Sequence, residues 1–171
     1  MSLIERLRTR EPAAFTEAYE AHRRALYSFL RRLCADRLLA DDLFQETWVQ
    51  LVRFAPKLRD DSNLGAWLCV VGRNQFRKHR RFVLVDEERV RSLRWLLVGH
   101  DAPVAVTAGL EEALAALPLA DREILLLHAQ SELAQDALAA LMGIGYSVFR
   151  QRLTRARSRL AKLLPPEVDD E

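Results

Sequence analysis

Apolar residues in this chain return at steps of three and four, and nowhere do they alternate. In FTEAYEAHRRALYSFLRRL, Phe15, Tyr19, His22, Leu26, Phe29, Leu30 and Leu33 fall on one side of a helix. LADDLFQETWVQLVRF repeats the pattern with Leu43, Thr47, Leu51 and Phe54. Pro56 and the polar cluster LRDDSN then break the periodicity into a loop. A further helix is expected from about Gly65 through WLCVVGRNQFRKHRR, apolar at its start and basic at its end. His22 lies on an apolar face and reads as a packed core histidine rather than a catalytic one. A chain with helical stripes and no strands must bury those stripes against one another, so the fold class is all-α.

After Arg81 the periodicity weakens. VLVDEERVRSLRWLLVGHDAPVAVTAG mixes charge with a short apolar run, Gly99, Pro103 and Gly109, as an interdomain connection does. Trp95, Leu96 and Leu97 are too apolar for a fully solvated tether, so part of this segment is expected to dock. From Leu110 four more helical stretches follow in quick succession. The reading is two small helical domains joined by a linker, the second containing a helix-turn-helix: residues 1–82, a linker 83–109, residues 110–164 and an acidic tail 165–171. A chain of 171 residues, half of them apolar, is long enough for two such modest cores.

The net charge is only +2, so any argument about partners rests on where the charges sit. They are segregated. Gly72 to Arg81 carries Arg73, Arg77, Lys78, Arg80 and Arg81 without an acid, and Gly145 to Leu164 carries Arg150, Arg152, Arg155, Arg157, Arg159 and Lys162 without one. Acid collects at Asp41, Asp42 and Glu46 and in the tail from Glu167 to Glu171. Two cysteines, Cys34 and Cys69, make no disulfide framework, and neither sits at metal-ligand spacing, so reduced thiols are expected. The opening MSLIERLRTREP is charged from its fifth residue and is no secretory signal, and no apolar run approaches a membrane span; a soluble, cytoplasmic protein is expected, without membrane insertion. HExxH, GxSxG and phosphate-loop patterns are absent and the four histidines are scattered, so neither an enzyme nor a metal or cofactor site is expected.

DALAALMG followed by IGYSVFRQRL has the build of a helix-turn-helix, with Ala137, Ala139 and Ala140 allowing close approach and a turn at Gly143. At 100° per residue, Phe149, Leu153, Ala156 and Leu160 of the second helix share a narrow arc that must pack inward. The opposite arc holds Ser147, Gln151, Thr154 and Ser158, flanked by Arg150 and Arg155. Hydrogen-bonding side chains at the centre with guanidinium groups at the flanks suit a helix in the major groove. Solvated arginine-rich faces usually alternate sign, and this one has no acid at i−4 to do so.

LEEALAALPLADREILLLH with LAQDALAALMGIGYSVFRQRLTRARSRL resembles the carboxy-terminal promoter-binding domain of extracytoplasmic-function sigma factors. DDLFQETWVQLVRF and GAWLCVVGRNQFRKHRR resemble their amino-terminal domain, in the same order, so that the resemblance spans about Phe15 to Leu164. It implies a dissociable subunit that binds core RNA polymerase, recognises a two-part promoter DNA and helps to melt it. It also implies an anti-sigma protein as a partner, which no residue here identifies.

The resemblance places Asp42, Gln45 and Glu46 on the helix that docks on core polymerase, and their spacing makes them one polar patch. Carboxylates are also favoured at helix amino termini by the macrodipole, which accounts for Asp41 and Asp42 but not for Gln45 with Glu46. It places Asn74 in the pocket for a flipped-out minus-ten base, with Arg73, Arg77 and Lys78 along the strand backbone; the lesser alternative for Asn74 is a satisfied polar residue between helices. Minus-thirty-five contacts fall to Ser147, Arg150, Gln151, Thr154, Arg155 and Arg157. Gly145, Val148, HAQSEL and Gly65 depart from the family's usual residues and bear on promoter sequence rather than fold. Two other functions fit parts of the pattern: a helix-turn-helix regulator acting without polymerase, which would need a dimer, and a sigma-like decoy for an anti-sigma protein, which would not need the arginine helix.

Overall fold

The computed structural model describes residues 1–34, 36–94, 109–131 and 133–164, with 82–94 as backbone alone. These residues form eight α-helices and one 3-10 turn, with no strand among them. Trp95, Leu96, Leu97 and the acidic tail lie outside the described residues. No helix among the described residues is long and apolar enough to cross a membrane.

Helix α1 (Leu3–Arg8) is held by a reciprocal cap: Ser2 Oγ accepts from the Glu5 amide at 3.2 Å, and the Ser2 amide donates to Glu5 Oε2 at 2.6 Å. Its Ile4 and Leu7 are buried, a contribution that six residues are too few to announce by periodicity. Helix α2 (Pro12–Cys34) buries Ala14, Ala18, Leu26, Phe29, Leu30 and Leu33. Helix α3 (Arg37–Phe54) buries Ala40, Leu43, Thr47 and Leu51. Two expected core positions are instead at the surface: Tyr19 is 38% exposed and Phe54 45%. Tyr19 lies at the margin of its stripe, against Phe44 and Trp48. At Phe54 the chain leaves the helix for the 3-10 turn Ala55–Lys57, and Ala55 takes the inward place.

Helix α4 (Leu64–Arg94) is capped by Asn63, whose Oδ1 accepts from the Ala66 amide at 2.9 Å. It packs across both α2 and α3. Gly72 permits the close approach, since a Cβ there would stand 3.0 Å from Leu30 Cδ2 and 3.3 Å from Thr47 Oγ1. The helix continues to Arg94, past Arg81 where the apolar stripe fades. The segment DEERVRSLR is rich in residues that favour helix without requiring burial, so loss of periodicity there does not end the helix.

The second unit contains α5 (Leu110–Ala116), α6 (Leu119–Gln130), α7 (Gln135–Leu141) and α8 (Tyr146–Leu163). Ile124, Leu138, Ala139, Phe149, Leu153 and Ala156 make its core. The two units are packed together. Helix α6 lies on α2 and α4, α5 lies on α2, and Leu114, Leu117, Leu126 and Leu127 join the apolar cluster of the first unit.

Arg122 fastens this packing. Its Nε donates to Leu114 O at 2.7 Å and its Nη2 to Leu117 O at 3.3 Å and to Ala115 O; Nη1 donates to Leu33 O at 3.0 Å. One guanidinium thus serves carbonyls at the ends of α5 and α2. Arg122→Met, which keeps an apolar stem, is expected to cost about 2–4 kcal/mol and to lower Tm by roughly 5–15 °C, read by thermal melting followed by circular dichroism. Lysine, lacking the planar fork, is expected to restore only part of the stability.

Candidate functional site

The turn between α7 and α8 follows from one backbone conformation. Gly143 has φ +68°, the left-handed region where side chains are strained, and no atom beyond its chain neighbours stands within 4 Å of where its Cβ would be. The Ile144 amide donates to Ala139 O and the Gly143 amide to Ala140 O, both at 3.0 Å, closing α7. Gly145 is the residue before α8; its carbonyl accepts from the Phe149 amide at 2.9 Å, and it offers no side-chain cap. Helix α8 buries Phe149, Leu153 and Ala156, with Leu160 partly covered, as its phasing requires.

The opposite face is open. Ser147, Arg150, Gln151, Thr154 and Arg155 line one shallow groove, and Arg157 is exposed further along. The Arg150 guanidinium lies 5.8 Å from the Tyr146 ring centre, which draws an exposed aromatic into the same face. Arg155 Nε donates within its own helix, to Gln151 O. Arg159 behaves differently, since it pairs with Asp121 of α6.

On α3, Asp36 is the cap, its Oδ1 accepting from the Leu39 amide at 3.1 Å, and the first turn contains no acid. Asp41 and Asp42 therefore lie beyond the first turn, where the macrodipole has little hold on them. Asp41 accepts from the Tyr27 hydroxyl at 2.8 Å, a bond that with burial raises the Tyr27 pKa. Asp42 and Gln45 are exposed, and Glu46, half-buried, accepts from Gln50 Nε2 at 2.6 Å. Gln45 also borders an apolar groove lined by Phe15, Tyr19, Phe44, Trp48 and Val52.

The four residues assigned on α4 divide. Asn74 and Lys78 are exposed. Arg73 is 4% exposed, and its Nε donates to Glu123 Oε2 at 3.0 Å. Arg77 donates to the same carboxylate twice, from Nε to Oε1 at 2.8 Å and from Nη2 to Oε2 at 2.6 Å. Asn74 Oδ1 accepts from Arg73 Nη1 at 3.3 Å. Burial pushes the Arg73 pKa down and the carboxylate of Glu123 opposes it. The stretch Gly72 to Arg81 thus has an acid after all, brought from α6. A hint was present: Glu123 precedes Leu126 and Leu127 by three and four residues, so it shares their buried face, where a carboxylate needs a partner.

Residues 18–82 match the family model of Sigma-70 region 2, and residues 108–160 that of Sigma-70, region 4. The ECF RNA polymerase sigma factor SigM of Bacillus subtilis is 32% identical, over 91% of this chain and 98% of its own length. The chain belongs to the extracytoplasmic-function sigma factors. ECF RNA polymerase sigma factor EcfG of Rhodopseudomonas palustris is 36% identical over 76% of this chain and 72% of the relative. Among solved structures, the sigma factor RpoE in complex with the anti-sigma factor NepR from Bartonella quintana aligns with a TM-score of 0.69 and 26% identity, over 87% of this chain and 95% of that one. CnrH, solved with the cytosolic domain of CnrY, shares the fold at a TM-score of 0.69 and 24% identity, over 94% of each chain.

This sigma factor gathers no group of three or more histidine, cysteine or acidic side chains fit for a metal among its described residues. His22 is half-buried beside Asn63, Gly65, Cys69 and Gln130, and burial lowers its pKa. Both cysteines are unpaired, and burial pushes each thiol up to about 12. Against an ordinary thiol at 9.0, that lowers the thiolate fraction near neutral pH by about a thousandfold. Native protein at pH 8 is therefore expected to react with a disulfide reagent at least a hundredfold more slowly than unfolded protein, read by absorbance of the released thiol. Fast, stoichiometric labelling of the native state would contradict this burial.

Proposed function

We infer that this chain is an alternative sigma factor: it binds core RNA polymerase, recognises a two-part promoter and helps to open it, while polymerase performs the bond-making chemistry. The observation that carries the reading is the solvent-open face of α8, where Ser147, Gln151 and Thr154 stand between Arg150 and Arg155 with the apolar arc buried behind them. Polar centre and cationic flanks match the two demands of a major groove, base edges within and phosphates beside. Asp42, Gln45 and Glu46 provide the polymerase contact on α3, and Asn74 and Lys78 the minus-ten contact on α4. Arg73, buried, reaches DNA only once its bond to Glu123 breaks, whereas Arg77 keeps nearly half of its side chain exposed. Action in the cytoplasm follows from this role. RpoE and CnrH were each solved with a binding partner, RpoE's an anti-sigma factor, and an anti-sigma protein is proposed for this chain too.

Reversing the α3 patch tests polymerase docking. Asp42→Arg with Glu46→Arg is expected to abolish co-purification with core polymerase, while helical content and Tm change little, because Asp42 is exposed and Glu46, half-buried, bonds to Gln50 of its own helix. Normal assembly of the double variant would remove these residues from the docking surface.

The two classes of residue on α8 are expected to fail differently. Exchanging Arg150 and Gln151, near the start of the helix, shifts the preferred minus-thirty-five sequence, by roughly 1–3 kcal/mol for each bidentate pair with a base that is removed. Changing Arg155 and Arg157 to alanine weakens all promoters alike and flattens the dependence of log affinity on log salt by about one for each phosphate no longer neutralised. Holoenzyme binding to a library of minus-thirty-five variants at several salt concentrations separates the two. Uniform weakening from Arg150 and Gln151 with a sequence shift from Arg155 and Arg157 would reverse the placement of α8 in the groove.

A further inference from the structure

The carboxylate of Glu123 stands between two guanidinium groups from the other unit. Its side chain is 1% exposed, that of Arg73 5% and that of Arg77 45%. A third cation, Arg152 of α8, is close enough to depress the Arg73 pKa further. One carboxylate among these cations leaves the cluster with excess positive charge, and at Arg73 and Glu123 water screens little of it. Such a cluster holds an anion tightly, and here the chain supplies its own. The forked pair from Arg77 to both carboxylate oxygens is also the geometry in which a guanidinium grips a phosphate.

We propose that Glu123 is an internal stand-in for a nucleic-acid phosphate, a latch that closes α6 over the cationic surface of α4 and competes with DNA for Arg73 and Arg77. The proposal rests on the sigma-factor reading of α4. While the latch is closed, Arg73 is buried and both Arg77 donors nearest α6 are occupied. Asn74 is engaged as well, through Arg73 Nη1. The α8 face stays open in the same arrangement. The closed chain therefore keeps its minus-thirty-five surface available and withholds part of its minus-ten surface. Breaking the pair leaves buried Arg73 and half-exposed Arg77 without their partner, so an incoming phosphate strand is the natural replacement, and strand binding and opening of α6 must favour one another equally.

The test uses the full chain and a fluorescein-labelled single-stranded oligodeoxynucleotide of mixed sequence, followed by anisotropy across a salt series. Glu123→Gln keeps the shape and removes the charge. It is expected to bind about tenfold more tightly than wild type at low salt, with a log–log salt slope steeper by about 1.4, the contribution of two further phosphate contacts on a single strand. Glu20→Gln, on the exposed side of α2, makes the same change of net charge and is expected to leave the slope unaltered. Adding Arg77→Ala to Glu123→Gln is expected to return part of the gain. Equal affinity and slope for Glu123→Gln and Glu20→Gln overturn the latch while leaving the sigma-factor reading in place. Absence of salt-dependent binding by every form, wild type included, overturns the latch together with the assignment of the α4 cations to DNA. The wild-type sequence at position 123 also carries the test, should the substitution unfold the chain: with spin labels at exposed Thr16 and Asp136 in a cysteine-free background, saturating oligonucleotide is expected to lengthen the distance between α2 and α7. An unchanged distance with oligonucleotide bound overturns the latch.

Discussion

The arrangement of this molecule depends on one helix with two buried sides. Helix α6 sets Ile124 into the core with Phe149 and Leu153 of α8, and sets Leu126 and Leu127 into the cluster built by α2 and α4. A helix apolar around most of its circumference cannot rest against a single neighbour. It must lie between two. That requirement presses the helix-turn-helix unit against the amino-terminal unit and brings Arg122 within reach of the end of α2 and Glu123 within reach of α4. The polar contacts between the units are consequences of this apolar sandwich, and they decide its register.

Much of the fold was legible because helical periodicity is a local property. Leu26, Phe29, Leu30 and Leu33 on α2 and Phe149, Leu153 and Ala156 on α8 declare their buried arcs from spacing alone. The failures have physical reasons. Six residues of α1 are too few for a stripe, and its cap at Ser2 announces it more clearly than its two apolar residues do. Tyr19 and Phe54 satisfy the spacing but lie at a margin and at a helix end, where one side of the ring meets solvent. The far part of α4 contains helix-favouring charged residues, so its apolar signal fades before the helix ends.

The candidate surfaces were legible to different degrees for the same reason. The α8 face needs only phasing and a buried arc, both local, and its residues stand together as spacing requires. The cationic stretch of α4 reads as unbalanced because neighbours on one helix face lie only three and four residues apart, and no acid stands at those distances. Its acid lies 50 residues from Arg73 and 46 from Arg77. Only the tertiary packing of α6 joins them. The resemblance to sigma factors named Arg73 and Arg77 as DNA contacts, and the closed packing shows the same guanidinium groups already holding an anion.

That coincidence follows from the chemistry that nucleic-acid binding imposes. A surface able to neutralise phosphates must collect arginines, and collected arginines repel one another and destabilise the free protein unless an anion sits among them. Solvent and salt serve where the surface is open, as on α8, because screening there is nearly free. A surface that must stay organised around a buried arginine such as Arg73 has no such screening, and an unpaired guanidinium at that depth would cost on the order of several kcal/mol. A carboxylate from the neighbouring unit removes the cost in this arrangement, and the proposed latch leaves it to be met by phosphate when DNA is bound. Segregated charge in the sequence and paired charge in the fold are, under the proposed latch, one arrangement: the cations stand on the surface assigned to DNA, and the acid that balances them stands on the other unit.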